Sequence, residues 1–226
     1  RWLHDLGVAH RDISMENMLI SRCGRDLQVK LIDFGMATLR RKVRGEVRGK
    51  DSYRAPEVHS GRTVDTFLVD IFAVGVVLFS LAAQGYPWEQ TDADRCGHFK
   101  DAEAFGVRSF VRQHRLRSGN GKLMGDAFSG DLLDLISSLL AFRPKARACL
   151  GEAAFHEEAG RGERKSIIDM PYLKDTGRFL PRKLGGVARA CSDTGVPYSS
   201  SSASTIGSGS TWSTIAPSLV SWVSRR

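Results

Sequence analysis

The chain has 226 residues, 42% of them hydrophobic, which is enough to bury a core in one domain with a tail or in two small domains. Its formal net charge of +8 favours acidic partners, including nucleotides, nucleic acids, anionic membranes and acidic proteins, without selecting among them. The cysteines at 23, 96, 149 and 191 form no Cys-x-x-Cys pair, so neither a zinc site nor a thioredoxin-type motif is indicated. Scattered thiols predict a cytoplasmic or nuclear protein, where cysteines stay reduced.

The first part of the chain alternates loops with short elements. Residues 1 to 7 are predicted to end a helix at Gly7. "NMLIS" and "LQVKLID" are short apolar runs separated by the turn-like "RCGRD", and they predict the two strands of a hairpin. The basic, aperiodic residues 36 to 52 predict a loop, and "APE" at 55 to 57 opens a short helix with Pro56 near its first turn.

The following part is predicted to be mainly helical. Residues 66 to 83 form a central helix, whose apolar run "IFAVGVVLFSLAA" is too short for a membrane span and indicates a core helix. "GYPWEQTD" is a turn region, and residues 98 to 117 predict a helix with a basic face. "SGDLLDLISSLLAF" predicts a helix capped by Ser129 or Asp131, and a last helix covers roughly 150 to 159.

The composition changes after about residue 185, where Ser, Thr and Gly dominate. We interpret residues 179–226 as a disordered tail, because such a composition buries too little apolar surface to fold. The terminal "LVSWVSRR" has two interpretations, a frayed terminus or a docking segment, and the first is favoured. The folded part is therefore predicted over residues 1–178.

Five short motifs follow one another along the folded part. They are "HRDISMEN" at 10–17, "DFG" at 33–35, "APE" at 55–57, "DIFAVG" at 70–75 and "RPKAR" at 143–147. Each string alone is a weak signal, but the ordered series closely resembles the C-terminal lobe of eukaryotic protein kinases over residues 1 to 160. The resemblance implies an α+β, mainly α fold: a kinase-like C-terminal lobe with short β-hairpins and no N-terminal lobe.

The resemblance assigns chemical roles to polar residues of the first two motifs. Phosphoryl transfer requires aligned reactants and neutralised phosphate charge. By resemblance, Asp12 accepts the proton of the substrate hydroxyl, while Asn17 and Asp33 hold Mg²⁺. Leu19 is expected on the floor of the ATP site. Taken singly, Asp12, Asn17 and Asp33 are more simply interpreted as a capping residue, a turn residue and a polar residue at the end of a strand. Their joint occurrence favours the catalytic interpretation.

Residues in and around the catalytic loop, residues 10–17, are expected to hold it in position. By resemblance, His10 stacks with Phe34, which is followed by Gly35 in "DFG". Asp70 begins a very apolar helix, so its buried carboxylate must accept hydrogen bonds. In the family these bonds come from the backbone at His10 and Arg11.

A second expected contact ties the activation segment, residues 33–57, to the late helices. By resemblance, Glu57 of "APE" pairs with Arg147 of "RPKAR". Loss of one partner of such a buried pair typically costs about 3–5 kcal/mol. Arg147→Ala is therefore predicted to destabilise the domain strongly.

Two departures from the family pattern occur at positions that contact each other in the family. Serine/threonine kinases carry a lysine two residues after the catalytic aspartate, and here that position is Ser14. The "G-T-x-x-Y-x-A-P-E" pattern is here "GKDSYRAPE", so Lys50 replaces the threonine. We interpret the pair as a swap in which Lys50 supplies the missing charge, since a lysine is a flexible point charge. The alternative is that Lys50 points into solvent.

The middle of the activation segment is unusually basic. It reads "LRRKVRGEVRGK" and contains no Ser, Thr or Tyr between Thr38 and Ser52. Kinases with an arginine before the catalytic aspartate, here Arg11, often use it to bind a phosphate on this loop. One hypothesis is that Glu46 occupies that position instead. The alternative, a solvated basic loop, is favoured from the sequence.

The predicted function is an ATP- and Mg²⁺-dependent protein kinase that acts on a protein substrate. No Gly-x-Gly-x-x-Gly loop follows a strand and no Val-Ala-Ile-Lys lysine is present, so the chain alone is expected to be inactive. ATP binding is expected if the N-terminal lobe is present in the native protein. The alternative is a non-catalytic kinase-like binding or scaffold module. Serine/threonine specificity is favoured because the tyrosine-kinase form of the catalytic loop is missing, and specific nucleic-acid binding is not expected.

Overall fold

The computed structural model describes residues 1–23, 26–116, 121–156 and 164–174. Over these residues the protein is mainly helical, with two small antiparallel sheets. This architecture agrees with the α+β, mainly α class expected from the sequence. The predicted tail, residues 179–226, lies outside the described residues.

The N-terminal part places a loop between a short helix and a hairpin. Helix α1, Trp2–Asp5, ends before Gly7, whose φ of +76° suits the residue that closes a helix. The hairpin consists of β1, Met18–Cys23, and β2, Asp26–Leu31, with Met18 opposite Leu31. A 3-10 turn, Met15–Asn17, leads from the loop directly into β1. The predicted hairpin is thus present, with β1 extending to Cys23 and β2 beginning at Asp26, both within the predicted turn.

The core is organised around helix α2, Thr66–Ala83, which has the predicted bounds. Asp65 caps its first turn, because its side chain accepts a hydrogen bond from the backbone N–H of Phe67 at 3.1 Å. The helix is long and apolar enough to cross a membrane, but 78% of it is buried inside the protein, as in a core helix. Aromatic rings from the "GYPWEQTD" turn and later helices pack on it around Trp88, which is 1% exposed.

The basic stretch 36–52 contains a strand that the sequence did not predict. Strand β3, Lys42–Arg44, pairs antiparallel with β4, Thr63–Asp65. The pairing buries Val43 opposite Val64, whereas the flanking residues of β3 are exposed. Three residues with one apolar position carry too little periodicity to reveal a strand, so the prediction of a continuous loop was wrong there.

The helix predicted over residues 98 to 117 is divided into two. Helix α3, Gly97–Phe105, and helix α4, Val107–Gln113, meet at Gly106. Gly106 has a φ of +82°, a conformation that interrupts a helix and that glycine adopts without strain. Phe99 of α3 and Phe110 of α4 are both buried against the aromatic cluster, so the break allows two short helices to face the core at different angles.

The remaining elements are short helices and 3-10 turns. The second 3-10 turn, Pro56–Ser60, has proline in its first turn as predicted. Helix α5, Met124–Ala127, is followed by α6, Gly130–Leu139, whose cap is Ser129 because its hydroxyl accepts from Leu132 N–H at 3.2 Å. Four elements complete the described chain: α7 (Ala153–His156), the isolated bridge of Cys149 with Ser166, a 3-10 turn (Ile167–Asp169) and α8 (Pro171–Lys174).

Candidate active site

A carboxylate of α2 holds the backbone of the catalytic loop, residues 10–17, by hydrogen bonds. Asp70 is 1% exposed, and its Oδ2 accepts a hydrogen bond from His10 N–H at 2.6 Å while Oδ1 accepts one from Arg11 N–H at 2.7 Å. Arg11 has a φ of +67°, which costs a non-glycine residue roughly 1–2 kcal/mol. The two charge-assisted hydrogen bonds offset this strain, so Asp70 fixes the backbone immediately before Asp12.

His4 extends this anchor into a buried charge network that the sequence did not reveal. Its Nε2 lies 3.1 Å from Asp70 Oδ2 and its Nδ1 lies 2.7 Å from Glu152 Oε1. Ionised carboxylates only accept, so these two contacts favour the protonated ring, which has a hydrogen on each nitrogen. Burial lowers the pKa of His4, but the hydrogen bonds to Asp70 and Glu152 outweigh burial and raise the pKa overall. Because Glu152 lies 148 residues away along the chain, no local pattern indicates the contact.

The Asp12 carboxylate is oriented by Asn17. The side-chain Nδ2 of Asn17 donates to Asp12 Oδ2 at 2.9 Å and to the Asp12 backbone carbonyl at 2.8 Å. Asp12 Oδ1 is buried and has no hydrogen-bond partner. An unpaired buried acceptor costs about 1–3 kcal/mol, so its presence here requires an explanation, of which a catalytic role is one.

The backbone of Ile32 joins the "DFG" motif to the catalytic loop. Ile32 N–H donates to the Asn17 carbonyl at 2.9 Å, and the Ile32 carbonyl accepts from His10 Nε2 at 3.1 Å. His10 Nδ1 in turn accepts from Asp12 N–H at 3.3 Å. Asp33 follows Ile32 directly, which brings its carboxylate to the same end of the hairpin as Asn17.

Asp33 and its neighbours are exposed at this end. Asp33 has a φ of +63°, and its Oδ1 accepts a hydrogen bond from Gly35 N–H at 3.1 Å. Phe34 makes an edge contact with His10, with ring centroids 4.9 Å apart, and it is 46% exposed. Leu19, in β1, is 52% exposed. An apolar side chain and an acidic one thus lie open on the hairpin side of the loop.

Lys50 reaches the catalytic loop from the activation segment. Its Nζ donates to Ser14 Oγ at 2.6 Å and lies 4.0 Å from Asp12 Oδ2. Ser14 is fully buried, and the Lys50 side chain is 42% exposed. The amine therefore contacts the buried Ser14 hydroxyl, although the Lys50 side chain as a whole remains partly exposed.

A series of polar contacts leads from the Lys50 amine to Glu16 and Tyr86, and the sequence did not predict it. Glu16 Oε2 lies 3.4 Å from Lys50 Nζ, and Glu16 Oε1 accepts from the Tyr86 hydroxyl at 3.1 Å. Burial raises the pKa of Glu16, but hydrogen bonds from its own backbone and from Ser14, together with the Lys50 charge, lower the pKa overall. Tyr53 donates to Tyr86 and accepts from Met15 N–H, and burial raises the pKa of its phenol. Both tyrosines therefore stay neutral donors at ordinary pH.

Glu46 lies between two arginines in the basic part of the activation segment. Its Oε2 accepts from Arg11 Nη2 at 2.8 Å and its Oε1 accepts from Arg40 Nη2 at 2.9 Å. The hydrogen bond from Arg11 is the main cause that lowers the pKa of Glu46. Glu46 therefore contacts the arginine beside Asp12, as one of the two sequence interpretations had it.

Glu57 and Arg147 form a bidentate ion pair. Arg147 Nη1 lies 2.6 Å from Glu57 Oε1 and Nη2 lies 2.9 Å from Glu57 Oε2. The arginine side chain is fully buried, and the glutamate side chain is 13% exposed. Arg147 also donates to the carbonyls of Leu68 and Ala141 and lies over the Phe72 ring. The pair attaches the end of the activation segment to α2 and to the segment after α6.

Comparison with known proteins identifies the class to which this site belongs. Residues 1–157 match the protein kinase domain, and the chain therefore belongs to the protein kinase family. Over 162 residues it is 32% identical to the serine/threonine-protein kinase SBK1 of Danio rerio, covering 69% of this chain and 39% of that protein.

Two further relatives are also named as serine/threonine kinases. The serine/threonine-protein kinase GIN4 of Saccharomyces cerevisiae is 29% identical over 177 residues, covering 75% of this chain and 14% of that protein. The testis-specific serine/threonine-protein kinase 3 of Mus musculus is 38% identical over 96 residues, covering 41% of this chain and 34% of that protein. The chain thus spans less than two fifths of the length of each of these relatives.

Proposed function

We propose that the described residues are the C-terminal lobe of a serine/threonine protein kinase, and that the whole protein transfers the γ-phosphoryl group of ATP to a protein hydroxyl. The observation that carries the proposal is the Asp12 carboxylate, with one oxygen held by Asn17 at 2.9 Å and the other buried without a donor. The relatives' names support serine and threonine as the accepting residues.

Asp12 is suited to accept the proton of the substrate hydroxyl. Asn17 orients the carboxylate through Oδ2, and the carboxylate keeps lone pairs that can accept the proton of a hydroxyl. The backbone on either side is rigid, because Asp70 holds His10 and Arg11 on one side and Asn17 holds the Asp12 carbonyl on the other. A base held in this way supplies alignment, which is the main protein contribution to phosphoryl transfer.

The donor set at the end of the hairpin fits Mg²⁺. Asn17 uses only its Nδ2 in hydrogen bonds, which leaves its carbonyl oxygen as a ligand, and Asp33 presents an exposed carboxylate. Both are hard oxygen ligands of the type that Mg²⁺ prefers. When bound, Mg²⁺ neutralises the charge of the ATP phosphates. Leu19, exposed on β1, would lie on the floor of the nucleotide site.

Lys50 is proposed to supply the positive charge that Ser14 cannot. Its amine is hydrogen-bonded to Ser14 Oγ at 2.6 Å, so the serine orients the lysine in the position where the family's catalytic-loop lysine would approach. The 4.0 Å separation from Asp12 Oδ2 places the amine beside the proposed base. The free thiols of Cys96 and Cys149 support a reducing compartment, the cytoplasm or nucleus, as the place of action.

The test is a phosphotransfer assay with the full-length gene product, since the chain spans only part of its relatives. Labelled ATP, Mg²⁺ and casein are expected to give phosphoserine or phosphothreonine. Asp12→Asn is expected to lower the rate by about 100-fold or more, as for the loss of a general base. Asp101→Asn, an exposed acid of α3, is the matched control and should retain activity. Absence of transfer, or equal rates for Asp12→Asn and wild type, would overturn the proposal in favour of a binding or scaffold module.

A further inference from the structure

The carboxylate of Glu46 is held by two guanidinium groups, one on each oxygen. Arg11 Nη2 lies 2.8 Å from Oε2, and Arg40 Nη2 lies 2.9 Å from Oε1. The Arg11 side chain is 8% exposed and the Glu46 side chain is 25% exposed, so the contact is largely removed from solvent on the Arg11 side. Charge-assisted pairs with this geometry are stronger than ordinary surface ion pairs.

The segment that contains Glu46 has no residue able to carry a phosphate ester. Residues 39–51 include no Ser, Thr or Tyr, and Thr38 and Ser52 lie at the borders. Activation segments of protein kinases are ordered in general by a phosphate that pairs with arginines. Here a carboxylate already occupies the arginine beside the proposed catalytic base, so a phosphate has neither an attachment point nor a vacant partner at this place.

The chain is fixed on both sides of Glu46. Before it, β3 is paired with β4, and Arg41 and Lys42 contact the Asp65 carboxylate at 3.1 and 2.7 Å. After it, Gly49 has a φ of +81°, and a Cβ there would lie 2.9 Å from the Arg11 carbonyl, so only glycine allows this approach. Between these two fixed points, the Glu46 carboxylate contacts the Arg11 side chain.

We propose that Glu46 is a built-in substitute for activation-segment phosphate: its carboxylate orders residues 39–51 against Arg11 without any covalent modification. Glu46 is a positioning residue, since it acts on Asp12 through Arg11 and not by direct contact. The inference goes beyond the proposed function, because the order of the segment does not depend on phosphotransfer.

Limited trypsin digestion of the 226-residue chain tests the proposal without requiring kinase activity. The segment offers cleavage sites at Arg40, Arg41, Lys42, Arg44 and Arg48. Glu46→Ala is expected to speed cleavage after Arg40 and Arg48 by roughly tenfold, because cleavage follows the population of the locally open segment. Cleavage after Arg41, Lys42 and Arg44 should increase less, since β4 and Asp65 still hold these residues. Glu46→Asp should lie between wild type and Glu46→Ala. Asp101→Ala, which removes an exposed acid of α3 outside the segment, is the control and should leave cleavage after residues 40–48 unchanged.

Anion rescue distinguishes a phosphate substitute from a merely structural contact. Inorganic phosphate should protect Glu46→Ala by binding between the vacated guanidinium groups of Arg11 and Arg40, and sodium chloride at equal ionic strength should not. Wild type should not respond, since its Glu46 occupies the site. Equal cleavage of wild type and Glu46→Ala, or equal protection of both by phosphate, would overturn the proposal.

Discussion

Removal of the Arg147 side chain should strongly destabilise the described part of the protein. Arg147 is fully buried and makes four hydrogen bonds, two to the Glu57 carboxylate and one each to the carbonyls of Leu68 and Ala141. Its guanidinium also lies 4.9 Å from the centroid of the Phe72 ring. Arg147→Ala leaves a poorly solvated carboxylate and two carbonyls without donors and opens a space beside Phe72.

The expected loss follows from these contacts. Breaking a buried ion pair by removal of one partner costs about 3–5 kcal/mol, and the residual cavity keeps the value towards the upper end. For a chain of this size, each kcal/mol shifts the melting temperature by about 2–4 °C. The expected decrease in melting temperature is therefore roughly 6–20 °C. Arg147→Lys keeps the charge but cannot make two parallel bonds to Glu57, so its decrease should be smaller.

Thermal unfolding of the 226-residue chain, followed by circular dichroism at 222 nm, measures this loss. Arg143→Ala is the matched control, because Arg143 belongs to the same "RPKAR" motif but is exposed. Its melting temperature should stay within about 2 °C of wild type, since exposed substitutions usually cost under about 0.5 kcal/mol. If Arg147→Ala and Arg143→Ala have the same melting temperature, the Glu57–Arg147 ion pair does not hold the activation segment to the late helices, and the reasoning fails.

Two further predictions concern Lys50 and His4. In the full-length protein, Lys50→Ala should lower kcat by about tens of fold with a smaller change in KM, as for the loss of a contact made in the transition state, while the exposed Lys100→Ala should not. Returning the charge to the loop in Lys50→Thr/Ser14→Lys should restore much of the rate, and a loss within about twofold for Lys50→Ala contradicts the swap. His4 has a raised pKa, so its stabilising charge is fully present below about pH 6.5 and is lost as pH rises through the raised value. Wild-type urea midpoints should therefore fall as the pH rises above about 6.5, and His4→Gln should lack that decline; parallel profiles would refute the assignment.

The parts of the fold that could be predicted from the sequence are those specified by neighbouring residues. The bounds of α2 follow from the Asp65 cap and a long, mainly apolar run, and the start of α6 follows from Ser129. The division at Gly106 was missed, because one glycine inside a helical pattern is compatible with continuation until the packing of Phe99 and Phe110 decides otherwise.

The parts of the site that could not be predicted depend on contacts distant in sequence. The motifs were sufficient to propose Asp12, Asn17 and Asp33 together, because the three belong to one resemblance. The contact of His4 with Glu152 joins residues 148 positions apart, and nothing around either residue indicates the other. The pairing of β3 with β4 is similar in kind, since a three-residue strand is specified by its partner and not by its own pattern.

The two unusual charges of the activation segment are coupled by the same backbone. Gly49 lies against the Arg11 carbonyl, with Glu46 three residues before it and Lys50 directly after it. The position of Lys50 at Ser14 therefore depends on the segment being closed at Gly49, and Glu46 favours that closure by holding Arg11. In a loop regulated by phosphorylation, closure of the segment depends on a separate chemical modification, because the loop closes only after the phosphate is added. In this chain the carboxylate that orders the segment and the lysine that enters the site are encoded four residues apart, so a closed segment brings its own charge to Asp12.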